Sequence, residues 1–156
     1  MNRRKESEKK ILFKIAQIRK ISYFEYNFVD LGLTLEDLKS PRIDLGIKIG
    51  RDNEKGLFII NFKTSYKVKD NIEFLGIESA SVFEIQNHNE VLSQDECGNY
   101  LLPQDILNKF AAIAVGATRG MLAVMTTSTV YQRFVIPPIN VEKMLSEGNK
   151  QSHDGR

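Results

Sequence analysis

Residues 57–68 read Leu57-Phe58-Ile59-Ile60-Asn61-Phe62-Lys63-Thr64-Ser65-Tyr66-Lys67-Val68. Phe58, Ile60, Phe62, Thr64, Tyr66 and Val68 fall on one side of an extended chain, and Asn61, Lys63, Ser65 and Lys67 on the other. That alternation is the mark of a strand with one buried face. Just before it, Ile43, Leu45, Ile47 and Ile49 alternate with Asp44, Gly46, Lys48 and Gly50, and Asp52, Asn53, Lys55 and Gly56 supply a turn. Just after it, Asp70-Asn71 turns the chain into a strand from Ile72 to about Gln86, whose apolar parity changes along its length. A bulge at Gly76 is expected there. Upstream, residues 11–28 read as a long strand with a bulge near Arg19–Lys20.

The rest of the chain is helical or irregular. Leu31, Leu33, Leu35 and Leu38 lie in a loop with Gly32, Ser40 and Pro41, and Thr34 three residues before Asp37 predicts a short helix. Residues 87–102 are polar. Pro103 then suits a first helical turn, and Ile106, Phe110, Ile113, Ala117 and Val124 follow at helical spacing. Thr126 to Thr129 ends that helix. Val130 to Ile136 reads as extended, Pro137-Pro138 as a break, and Asn140 as the N-cap of a short final helix. Four antiparallel strands followed by a long and a short helix predict an α+β domain with its helices on one face of the sheet.

A chain of 156 residues supports one domain. It is read as residues 11–146, with disordered tails at 1–10 and 147–156. The formal charge of +2 is uneven. Arg3, Arg4, Lys5, Lys9 and Lys10 outweigh Glu6 and Glu8, while Lys150 and Arg156 balance Glu147 and Asp154. Fifteen basic residues against sixteen acidic ones leave the body at −1. A body without a basic excess argues against a nucleic-acid partner. The single Cys97 excludes an internal disulfide and any multi-cysteine metal site. The most apolar stretch, residues 110–127, carries Arg119, so a buried helix is expected rather than membrane insertion. No signal peptide is read, and a cytoplasmic protein is expected.

No catalytic constellation stands out. His88 lies in a loop and His153 in the tail, and no glycine-rich phosphate loop follows a strand. Cys97 follows Asp95 and Glu96, two acids that oppose thiolate formation. The chain is therefore read as a non-enzyme without cofactor or metal. What stands out is apolar surplus: Phe24, Tyr26, Phe28, Leu31, Leu33, Leu35 and Leu38, later Tyr131 and Phe134, with Met121 and Met125 as adaptable side chains. These residues cover a sheet edge, meet another subunit, or line a groove for another chain. The small residues of the long helix, among them Ala111, Ala114, Gly116 and Thr118 beside Met121, predict a close helix contact at a subunit interface.

Several of these segments resemble the SecB family of bacterial chaperones. Arg119 in the long helix is followed by Ile136, Pro138, Ile139 and Asn140, similar to that family's aliphatic–x–Pro–Val–Asn pattern. Ile21-Ser22-Tyr23 with Glu25 and Asn27 resembles its first strand, and Val82-Phe83 the end of its fourth. The resemblance spans roughly residues 11–146. It implies an ATP-independent holdase, a tetramer built as a dimer of dimers, whose apolar grooves hold unfolded client polypeptide. The leucine-rich loop then corresponds to the loop over the groove, and the Ala/Gly-rich helix to the one joining dimers. In the export proteins, acidic residues on the sheet dock the motor SecA. Those positions fall here on Lys20, Phe24 and near Gly76. The resemblance therefore favours a dedicated client, such as the antitoxin of a toxin–antitoxin–chaperone system, over a preprotein delivered to SecA. An adaptor subunit that binds one folded partner is the reading from a different class.

Overall fold

A computed structural model describes residues 10–151, with side-chain environments through Glu147. Of the expected tails at 1–10 and 147–156, residues 1–9 and 152–156 lie outside the described residues, while Glu147 to Gln151 belong to the C-terminal helix. Strands β1 (Phe13–Glu25), β2 (Arg42–Asp52), β3 (Leu57–Val68) and β4 (Ile72–Ile85) form one antiparallel sheet in the order β1-β4-β3-β2. A one-turn helix α1 (His88–Val91), a long helix α2 (Gln104–Met125) and a C-terminal helix α3 (Val141–Gln151) follow. The expected α+β class is the observed one.

β3 is buried where its alternation predicts. Phe58, Ile60, Phe62, Thr64, Tyr66 and Val68 all lie beneath the surface. Lying between β4 and β2, β3 has its backbone paired on both sides. α2 packs on β4 and β3 through Ile106, Phe110, Ala114, Thr118 and Leu122, one residue per turn, with Ala111 and Val115 alongside. Phe110 stacks on Phe83 with ring centroids 4.0 Å apart. Toward the other end of the helix, Thr118 donates to the Ala114 carbonyl at 2.8 Å and lies 2.6 Å from the Ser79 hydroxyl.

Those contacts divide the residues expected at a subunit interface. Ala111, Ala114 and Thr118 are fully buried within this chain, Ala114 in one cluster with Phe58, Ile60 and Phe83 of the sheet and Thr118 beside Ser79. Small residues do admit a close neighbour, and here a neighbour is β4, whose small Ser79 lies against Thr118. The outward face of α2 carries Ala112, Gly116, Gly120 and Val124, with Met121 half-buried.

Three local expectations also change. The irregularity between β3 and β4 falls at Phe74 rather than Gly76, since Tyr66 pairs with Leu75 and Lys67 with Glu73. The bulge buries Phe74 and Leu75 together. β1 slips twice, at Ile21 beside the expected Arg19–Lys20 position and also at Ala16, which was not expected. Residues 130–133 are turns rather than an extended stretch. The break begins at Ser128, whose φ of 65° is left-handed.

Candidate functional site

The surplus apolar residues concentrate in two segments, residues 26–41 and 126–140. Both cover the end of the sheet where α2 finishes. The first segment is pinned by its own polar groups. Asn27 Oδ1 accepts from the Val29 amide at 3.0 Å, and the Leu33 amide donates to the Phe28 carbonyl at 2.8 Å. Thr34 and Asp37 bond reciprocally: the Thr34 amide donates to Asp37 Oδ2 at 2.7 Å, and the Asp37 amide to Thr34 Oγ1 at 3.3 Å. A 3-10 turn, Asp37–Lys39, follows, where the Thr34/Asp37 spacing predicts a short helix. The bond from the Thr34 amide and the Lys69 ammonium at 3.0 Å hold the Asp37 carboxyl below its ordinary pKa.

The second segment is tied to α2. Arg119 Nε donates to the Ile136 carbonyl at 2.8 Å, and its guanidinium also to the Pro137 carbonyl at 2.9 Å. Asn140 caps α3 through the Lys143 amide at 3.0 Å, as its position predicts. The Tyr131 hydroxyl donates to the Tyr26 carbonyl, joining the two segments. Beneath them lies an aromatic cluster. Phe74 sits 5.3 Å from both Tyr131 and Phe134, and Tyr66 lies 5.5 Å from Phe134. Burial pushes the Tyr66 hydroxyl pKa up to about 12, against the opposing pull of Arg119.

Three clefts open on this scaffold. The first, about 260 Å³, is lined by Glu25, Tyr26, Asn27, Phe28, Thr129, Val130 and Tyr131. The second, about 300 Å³, is lined by Leu38, Lys39, Pro41, Ile43, Tyr66, Arg133, Phe134 and Val135. The third, about 390 Å³, lies between β1 and α2 and is lined by Lys20, Gly120, Met121, Val124 and Met125. The candidate groove residues thus divide. Tyr26, Phe28 and Tyr131 meet at the first cleft, Leu38 and Phe134 at the second, and Met121 and Met125 at the third.

Not all of them offer surface to a ligand. Leu33, Leu38, Tyr131 and Phe134 belong to the main hydrophobic cluster and are 5%, 1%, 3% and 7% exposed. They build the walls and floor. Leu31 and Phe28 are partly buried against the same cluster, while Leu35 is 59% exposed. Phe24 lies elsewhere. It pairs with Gly76 across β1 and β4 and, by strand alternation from the buried Ile77, points to the face away from α2. A Cβ on Gly76 would fall 2.4 Å from the Phe24 ring. The glycine therefore makes room for the aromatic side chain, which also packs on Tyr26 at 5.3 Å.

Sequence reading missed Val29, Val130 and Val135, which are 63%, 54% and 58% exposed around the clefts. The signal was the unusual apolar content of residues 130–136, taken for a strand. It also left residues 87–102 unassigned. Leu92 and Tyr100 of that segment close the second hydrophobic cluster, and His88 fills the space above Gly56. Cys97 is exposed at the tip of this segment. Among the described residues, no three His, Cys, Asp or Glu side chains come together as a metal site. No described helix is long and apolar enough to cross a membrane.

No protein-family model matches the chain, and no curated protein matches it. Solved structures do. One is the Mycobacterium tuberculosis SecB-like chaperone in complex with a ChAD peptide from the HigA1 antitoxin, with 10% identity and a TM-score of 0.46, covering 82% of this chain and 84% of that one. Another is a Streptococcus agalactiae protein of unknown function, with 13% identity and a TM-score of 0.36, covering 84% of this chain and 98% of that one. Both are likenesses of overall fold.

Proposed function

We propose that this protein is an ATP-independent, SecB-like holdase that binds unfolded polypeptide along the apolar surface formed by residues 26–41 and 126–136. The observation that carries this reading is the exposure of Tyr26, Val29, Leu35, Val130 and Val135, each more than half exposed, beside two clefts with buried aromatic walls. Clustered apolar exposure of this kind marks an interaction surface. Shallow, separate clefts suit an extended chain, which gains affinity from several weak contacts in series. A small folded ligand would favour one deep pocket.

The client is a dedicated one, an aggregation-prone antitoxin segment, by the resemblance noted in the sequence. Delivery to SecA is disfavoured by Lys20, Phe24 and Gly76 at the positions where the export proteins carry acids. The working form is a homo-oligomer of cytoplasmic location, a tetramer by the same resemblance. The outward face of α2 and the exposed Ile15, Ile18 and Ile21 of edge strand β1 are its contact surfaces. An edge strand with that much apolar exposure needs a cover.

The test is aggregation of a chemically unfolded client diluted into buffer without nucleotide, followed by light scattering. Stoichiometric protein is expected to suppress it, and Leu35→Ser with Val135→Ser to weaken the suppression. Unchanged aggregation with both the protein's genomic neighbours and a standard unfolded preprotein would overturn the reading. Tight binding to a native partner, with none to the same chain unfolded, would favour the adaptor instead.

A further inference from the structure

The second cleft is not neutral. Its walls are apolar, from Leu38, Pro41, Ile43, Phe134 and Val135, but its mouth carries Lys39 and Arg133. The neighbouring carboxylates are already committed. Asp37 pairs with Lys69 at 3.0 Å, and Glu36 pairs with Lys39 at 2.5 Å in a solvent-exposed contact that is worth little. Among the described residues, Arg133 has no carboxylate partner. Its guanidinium lies 5.2 Å from the centroid of the Phe134 ring and reaches the Leu38 carbonyl only at 3.5 Å. Tyr66, which also lines the cleft, is 1% exposed, and its hydroxyl has no hydrogen-bond partner among the described residues. A guanidinium placed over an aromatic ring and free of a carboxylate partner can take a carboxylate in bidentate fashion. The first cleft differs, because its one charged residue is Glu25.

We infer that the second cleft selects client segments in which an apolar side chain is flanked by an internal Asp or Glu, the apolar group entering between Leu38 and Phe134 and the carboxylate meeting Arg133. The inference rests on the holdase reading and sharpens it, since apolar burial alone gives no sequence preference. The carboxylate supplies register, fixing which apolar residue of an extended client occupies the cleft.

The test uses labelled, unstructured peptides, blocked at both ends, with one central Leu followed by Asp, Asn or Lys. Binding to the full chain is read by fluorescence anisotropy. The Asp peptide is expected to bind about fivefold more tightly than the Asn peptide and the Lys peptide most weakly. Raising the salt concentration should erase the difference. Arg133→Gln should remove the Asp preference, and Arg133→Glu should reverse it in favour of Lys, with thermal melts showing both variants folded. Equal binding of the three peptides overturns the inference and leaves the holdase reading standing. Absence of binding by all three, together with failure to suppress aggregation, overturns both. A fourth peptide carries Leu-Asn at its free C-terminus; tight binding by this one alone overturns the assignment to an internal acid.

Discussion

Leu35 and Leu38 lie three residues apart in one leucine-rich loop, and truncating each to alanine should have opposite consequences. Leu38 is 1% exposed and packed in the main hydrophobic cluster. Leu38→Ala removes buried methyl groups and leaves a void between Tyr66, Phe134 and the sheet. Such truncations cost about 2–5 kcal/mol, and this site should fall near 3 kcal/mol, because Asp37 and Lys39 anchor the turn and limit collapse. For a domain of this size that lowers the melting temperature by about 6–12 °C. Leu35 is 59% exposed. Leu35→Ala should leave stability within about 0.5 kcal/mol and reduce client holding instead. Thermal and urea denaturation by circular dichroism give the first quantity, and light scattering of a diluted unfolded client gives the second. A Leu38→Ala protein as stable as the parent would refute the placement of Leu38 in the core. A Leu35→Ala protein that loses more than about 1 kcal/mol would refute the claim that Leu35 is free for a client.

Other perturbations test the supporting scaffold. Gly76→Ala puts a Cβ 2.4 Å from the Phe24 ring and 3.2 Å from the Thr64 carbonyl, so the ring must leave. The expected cost of about 1–2 kcal/mol should shrink in a Phe24→Ala background, as a double-mutant cycle in urea would record. Arg119→Gln loses the bonds that hold Ile136 and Pro137, which should destabilise the α3 end by about 2–3 kcal/mol. Hydrogen exchange should then be faster in Val141–Glu147 than in β3. Asp37, with its pKa lowered first by the Thr34 amide and then by Lys69, supports its loop at every pH above the ordinary carboxylate value. That support is lost only as pH falls through the depressed value. Protease sensitivity of residues 34–39 should therefore rise below about pH 4 in the parent, and be already raised and flat with pH in Asp37→Asn.

Much of the fold was legible because it follows from periodicity. In β3 a two-residue alternation places every second side chain in the core whatever the neighbours are. Helical spacing from Ile106 and Phe110 gave α2 in the same way, although the buried stripe continues through Ala114, Thr118 and Leu122 rather than through Ile113, Ala117 and Val124, the last of which is exposed. The Thr34/Asp37 and Asn140 bonds are local, spanning only three residues, so their residue types announce them. The bulge was misplaced because parity change in β4 marks a region and not a residue. Gly76, the obvious suspect, serves instead as the seat of Phe24, a partner 52 positions away along the sequence.

The candidate site divides along the same line. Sequence alone determined that residues 26–41 and 130–136 carry more apolar side chains than a solvent loop needs, and that small residues crowd α2. The association of Arg119 with the proline-marked link came from the resemblance to the SecB family and not from periodicity or spacing. Only the tertiary structure decided which of those leucines and aromatics plug the core and which stay exposed. It alone buried Ala111, Ala114 and Thr118 within the chain and, among the described residues, left Arg133 beside a cleft without an acidic partner. The physical reason is that burial inside a loop has no period. Whether Leu33, Leu35 or Leu38 is covered depends on what β3, β4 and the segment after α2 bring to meet it, and those elements lie far away in the chain.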